Sequence, residues 1–183
     1  GYSTEGPVWA NPELDDSDWS SMQLPATWEQ RGYPSLDGIG WFRKSVDLEK
    51  SWSKGTTTLL LSAVDDVDST WFNGVFIGTD NVWDGIRKYE IPSDIIRSGK
   101  NTITVRVQDD QGGGGIWGDP EFLRLDHSSQ KSLSLVGEWL FKVGLDFQEL
   151  ETPTVMSNNP NYPTVLSNAM IEPVIPYGIR GVI

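Results

Sequence analysis

Polar and apolar positions alternate strictly over residues 101–108, Asn-Thr-Ile-Thr-Val-Arg-Val-Gln. Successive side chains of a strand point to opposite faces, so Ile103, Val105 and Val107 share one face. The β-branched and Leu-rich run 57–63 predicts a buried strand, and 41–48 another. Asn73-Gly74 lies between the aromatic and β-branched runs 69–72 and 75–77, which predicts a hairpin with a two-residue type I′ turn. Further strands are predicted at 87–91, ended by Pro92, and at 121–125 and 138–143. Residues 93–97 fit one helical turn stopped by Gly99. No helical period of ten or more residues occurs before residue 150. The first forty residues are rich in turn formers and carry Trp9, Trp19 and Trp28, so they read as a long anchored loop. Many short strands separated by turns predict an all-β fold, a jelly-roll β-sandwich.

The texture changes near residue 148. Residues 149–163 are rich in Pro, Asn and Thr and read as a linker, 164–171 as a short helix and 179–183 as the start of a buried strand. The expected organisation is a jelly-roll domain over 1–148, followed by the truncated start of a second domain over 149–183.

Composition narrows the function classes. The net charge of −12 disfavours nucleic acid and anionic membranes, because both need Lys and Arg against phosphates. The absence of Cys excludes a disulfide framework and a thiolate metal site. No apolar run is long enough to span a bilayer. The nine tryptophans and nineteen glycines suggest elaborate loops or a surface that stacks on flat partners.

Several phrases occur in order: Asp18-Trp19, Leu24-Pro25-Ala26-Thr27-Trp28-Glu29, Gly40-Trp41-Phe42-Arg43-Lys44, Asp65-Asp66-Val67-Asp68, Trp71-Phe72-Asn73-Gly74, Ile77-Gly78, Arg87-Lys88-Tyr89-Glu90-Ile91-Pro92, Gly99-Lys100-Asn101 and Val105-Arg106-Val107. Over residues 15–145 this series resembles the galactose-binding-like jelly roll that forms the sugar-binding domain of family 2 glycoside hydrolases. The tail, residues 161–173 and 179–183, is similar to bacterial sialate O-acetylesterases, in which such a jelly roll is inserted in an SGNH hydrolase. That resemblance implies a secreted or periplasmic parent enzyme and an adjoining SGNH catalytic domain as partner. It implies that the nucleophilic Ser block lies upstream and the Asp and His downstream, so no catalytic residue is assigned here. It allows one metal, a structural calcium in the loops, with no ligands assigned.

His127 lies in a polar stretch after a strand and stands far from any nucleophile motif, so it reads as a loop residue. The pairs Asp15/Asp16, Asp65/Asp66/Asp68 and Asp109/Asp110 read as solvated turn formers rather than a glycosidase pair, and the same aspartates offer oxygens to a calcium ion, with no ligand set assigned. The Gly-rich run 111–116 lacks the Lys-Ser/Thr of a phosphate loop and suits a mobile tip or close packing. Three loop tryptophans each stand near an acid: Trp28 with Glu29, Trp83 with Asp84, and Trp117 with Asp119. An indole face stacks on the C–H patch of a sugar while a carboxylate orients its hydroxyls. Arg87 would add a charged hydrogen bond, bidentate to a sialic-acid carboxylate. Against this, loop tryptophans commonly serve as packing anchors, and Arg87 would then brace the sandwich. Trp71 and Trp139, inside strand patterns, read as core. The leading reading is a non-catalytic domain that binds a glycan or acetylated sialic acid within a carbohydrate esterase. The alternatives are a structural spacer and the sugar-binding domain of a glycoside hydrolase.

Overall fold

A computed structural model describes residues 6–150. It contains twelve strands: β1 Ser20–Leu24, β2 Ala26–Thr27, β3 Gly38–Leu48, β4 Thr57–Asp65, β5 Val67–Phe72, β6 Val75–Asp80, β7 Ile86–Ile91, β8 Gly99–Asp109, β9 Gly115–Trp117, β10 Leu123–His127, β11 Ser132–Ser134 and β12 Gly137–Asp146. One sheet runs β1-β12-β3-β8-β5-β6. The other runs β11-β10-β4-β9-β2, with β7 also paired to β4. All these pairings are antiparallel. The fold is an all-β sandwich. Among the described residues no helix is long and apolar enough to cross a membrane. The chain divides into Gly1–Glu149 and Leu150–Ile183. The expectations placed on residues 151–183 lie outside the described residues.

The alternation sorts side chains as it should. Ile103, Val105 and Val107 of β8 are fully buried, and they join Phe42, Leu59, Leu61, Ile91, Ile116, Leu125 and Phe141 in one core drawn from both sheets. A fully buried Leu or Ile contributes about 1.5–3 kcal/mol relative to exposure, so these inward rows supply the main drive to close the sandwich. Trp139 lies in this core, donating its indole N–H to the Leu135 carbonyl at 2.8 Å.

A second apolar cluster covers the outer face of the β3 sheet. Trp19, Ile39 and Trp41 are buried there against Trp9 and Trp71. Trp71 therefore packs on the outer face rather than in the inter-sheet core. Arg43 pins the leading loop: its Nε–H donates to Asp16 Oδ2 at 2.8 Å, and Nη1 donates to the Trp9 carbonyl at 2.6 Å. Asp16 is thus an ion-pair partner and not only a turn former.

The predicted hairpin is β5–β6. Asn73 (φ 50°) and Gly74 (φ 82°) both occupy the left-handed region that a type I′ turn requires. The Asn73 amide also ties the turn to β8, donating to the Ile95 carbonyl and Asn101 Oδ1, both at 2.8 Å, and accepting from the Thr102 N–H at 2.9 Å.

Candidate functional site

The strand register brings four connections to one end of the sandwich. Asp65, the last residue of β4, pairs with Gly115 at the start of β9. Asp109, the last residue of β8, pairs with Gly38 at the start of β3. Asp68 pairs with Asp80, just before the loop 81–85 that leads into β7. The Gly-rich run, the Asp65–Asp66 turn, the Trp83 loop and the 3-10 turn Trp28–Arg31 therefore gather together.

Arg87 lies beneath this end, fully buried. Its Nε–H donates to Asp68 Oδ1 at 2.7 Å. Nη2 donates to the carbonyls of Val64 at 2.7 Å and Asp66 at 3.0 Å. Nη1 donates to the Gly85 carbonyl at 3.0 Å and, in a short contact, to the Val82 carbonyl. A guanidinium has five N–H donors, and all five are engaged. The structure therefore corrects the expected ligand role of Arg87: no donor is left for a sialic-acid carboxylate. It fixes the acidic turn through Val64 and Asp66, and the Trp83 loop through Val82 and Gly85. Asp68, also fully buried, accepts in addition from Thr70 Oγ1 at 2.6 Å and from the Tyr89 hydroxyl at 2.8 and 2.9 Å. Burial beside this carboxylate raises the Tyr89 pKa, so the phenol stays protonated and donates.

Trp28 is likewise removed from the surface. It is fully buried, its indole N–H donates to the Leu36 carbonyl at 2.9 Å, and its ring stacks on Phe42 at 6.5 Å. Its neighbour Glu29 stays at the site, accepting from the Gly114 N–H at 3.3 Å. Gly114 packs directly on Trp28: a Cβ there would lie 2.1 Å from Trp28 Cζ2 and 2.7 Å from Asp109 Cβ. The Gly-rich run thus includes a close-packed anchor for the indole.

Trp83 and Trp117 are brought together. Their rings stack with centroids 6.0 Å apart and planes 11° apart, and Trp83 is 54% exposed. The Trp117 Nε1–H is buried without a hydrogen-bond partner. Asp84 is exposed beside Trp83. Asp119 is exposed, and its carboxylate accepts from the Glu121 N–H at 2.8 Å, a turn cap. His127 is the buried last residue of β10 rather than a loop residue, and its ring is held by Ser129 Oγ at 2.7 Å and the Lys54 carbonyl at 2.8 Å.

The acidic residues differ from the solvated turn formers expected. Asp109 is fully buried, and one carboxylate oxygen each from Asp65, Asp66 and Asp109 lies within 4.8 Å of the others. Asp109 Oδ1 accepts from the Gln111 N–H at 3.2 Å, and Asp66 Oδ2 from the Asp110 N–H at 3.0 Å. Asp109 Oδ2 and Glu29 Oε2 are buried with no hydrogen-bond partner. Burial, then the hydrogen bond and charge of Asp66, push Asp65 up to about 6. Burial with the charges of Asp66 and Asp65 pushes Asp109 up to about 7, against the opposing Gln111 hydrogen bond. Sequence reasoning missed Asp65, Asp66 and Asp109 as a unit, because 43 residues separate Asp66 from Asp109 and only the register unites them.

A separate groove of about 440 Å³ lies over the outer face of β4 and β10, lined by Thr58, Leu60, Lys88, Arg124, Asp126 and His127. Arg124 is paired there with Asp126 at 2.9 Å, and no tryptophan lines the groove.

No family model matches the chain. A protein of Formosa agariphila assigned as a β-glucuronidase is 30% identical over 115 residues, covering 56% of this chain and 11% of that protein. A β-galactosidase of Arthrobacter sp. strain B7 is 28% identical over 123 residues, covering 54% of this chain and 12% of its own length. Among solved structures, Bacteroides uniformis β-glucuronidase superposes with a TM-score of 0.52 at 25% identity, over 77% of this chain and 16% of that one. The chain thus spans about a tenth of the length of the curated relatives it matches. A glycosyl hydrolase family 2 member from Bacteroides cellulosilyticus shares the fold, with a TM-score of 0.50 at 24% identity over 58% of this chain and 17% of that one.

Proposed function

We propose that this chain is a non-catalytic carbohydrate-binding domain of a larger glycoside hydrolase, with the stacked Trp83–Trp117 pair as its sugar platform. The observation that carries the reading is that pair: an exposed indole face backed by a second, parallel ring, at the same end of the sandwich as Asp65, Asp66 and Glu29. An apolar face stacks on the C–H groups of a pyranose, and carboxylate oxygens accept from its hydroxyls. Arg87 acts as a positioning residue, holding the Trp83 loop and the acidic turn in register. Similarity to β-glucuronidases and β-galactosidases supports a glycan as the partner and a hydrolase as the parent.

An array of neutral and acidic glycans, followed by calorimetry, tests this. Trp83→Ala is expected to weaken binding at least about tenfold, or about 1.4 kcal/mol. Phe76→Ala removes an exposed aromatic that packs edge-on against Trp71 near the hairpin turn, and it is expected to leave binding unchanged. Silence with every glycan would favour a spacer that only packs on the rest of its parent.

The esterase parent stands as a second reading. It rests on the tail motif within residues 161–183, which lie outside the described residues. Either parent predicts no turnover of aryl glycosides or acetyl esters by this chain alone, and measurable hydrolysis of either would overturn the non-catalytic assignment.

A further inference from the structure

We infer that Asp65, Asp66 and Asp109 form a divalent-cation site suited to Ca²⁺. Three carboxylate oxygens, one from each residue, lie within 4.8 Å of one another. Calcium holds oxygen ligands at about 2.3–2.6 Å, so a single ion can touch three atoms with that spread. The donors are oxygen only, which suits a hard cation and disfavours Zn²⁺, a metal that prefers His and Cys.

A second observation is independent of the clustering. Asp109 is 0% exposed, yet its Oδ2 has no hydrogen-bond partner. Buried carboxylates are ordinarily paired with a cation or hydrogen-bonded on both oxygens. The nearby cation, Arg87, directs all five donors to Asp68 and four backbone carbonyls, so it donates to none of the three carboxylates. Glu29 Oε2 is another buried carboxylate oxygen without a partner, outside the cluster of three. Ca²⁺ takes six to eight oxygens in a flexible shell, so water or a ligand hydroxyl would complete the set. Mg²⁺ demands a near-ideal octahedron at about 2.0–2.1 Å and gives up its waters reluctantly, so a carboxylate cluster suits Ca²⁺ better.

The inference does not depend on sugar binding, and its test omits sugar. The full 183-residue chain, stripped with chelator, is titrated with CaCl₂ by calorimetry and by thermal melting. The expected result is saturable binding of one ion, with a Kd on the order of 10⁻⁵–10⁻³ M, and a rise in Tm. Asp109→Asn and Asp66→Asn are each expected to weaken binding at least tenfold and to remove the Tm rise. Asp47→Asn, an exposed carboxylate on β3, is expected to bind as the parent does. In chelator, Asp109→Asn should melt no lower than the parent, because it removes a like charge; near-ultraviolet circular dichroism of the tryptophans checks its fold. Should Asp109→Asn fail to fold, the partly exposed Asp66→Asn carries the test. No saturable binding up to about 10 mM CaCl₂, or unchanged binding in a folded Asp66→Asn, would overturn the site. Equal affinity for MgCl₂ would overturn its assignment to Ca²⁺.

Discussion

Arg87 and Asp68 meet as a buried pair 2.7 Å apart, with both side chains withdrawn from solvent. Removing one member of such a pair leaves the other charged, buried and unmatched. Arg87→Met or Asp68→Asn is therefore expected to lower stability by about 3–5 kcal/mol in urea denaturation. Tyr89→Phe, which deletes one donor to a carboxylate that keeps other donors, should cost about 1–2 kcal/mol. Part of this was legible in the sequence. The period of two places Arg87 on the same face as Tyr89 and Ile91, and that face is the inner one. The partner was not legible, since Asp68 lies 19 positions away and pairs through a hairpin geometry that no local pattern states. The same holds for Trp28, whose neighbour Glu29 suggested a ligand contact while its ring fills the space against Phe42 and Phe141.

The longer apolar and alternating runs were readable, and β3, β4, β7, β8 and β12 lie where the pattern put them, each somewhat longer; β10 begins two residues after the expected start at 121, because Pro120–Phe122 forms a 3-10 turn. The strands β2, β9 and β11 have two or three residues, too few to express any period. β1 does alternate, with Met22 and Leu24 inward, but the turn formers around it mask the signal. The segment joining β8 to β9 illustrates what glycine does in such a place. Gly114→Ala would drive a methyl into Trp28 and is expected to cost about 1–3 kcal/mol in thermal melting, as overpacking of a filled core does. Gly112, with no atom near its would-be Cβ, has φ 99°, so its substitution would strain the backbone rather than the packing.

For the molecule as a whole, two sheets close over an interior built around large rings. Trp28 contacts Phe42 of β3 and Phe141 of β12, while its backbone N–H donates to the Gly114 carbonyl ahead of β9 at 2.9 Å, so it joins both sheets. Trp28→Ala is expected to cost about 3–5 kcal/mol and to lower the cooperativity of unfolding measured by denaturant slope. The all-β class could be read from spacing alone, because alternation and turn chemistry agree along 145 residues of the chain. The site could be read only in part. Trp83 and Trp117 stood out as loop tryptophans, but their stacking and the gathering of three distant aspartates arise from strand order. That order brings a single guanidinium under two separate surface segments. A ligand that stiffens the indole-bearing loop lowers the entropic cost of ordering the acidic corner, and the reverse holds by the same factor. A sugar and a metal ion would then favour one another's retention.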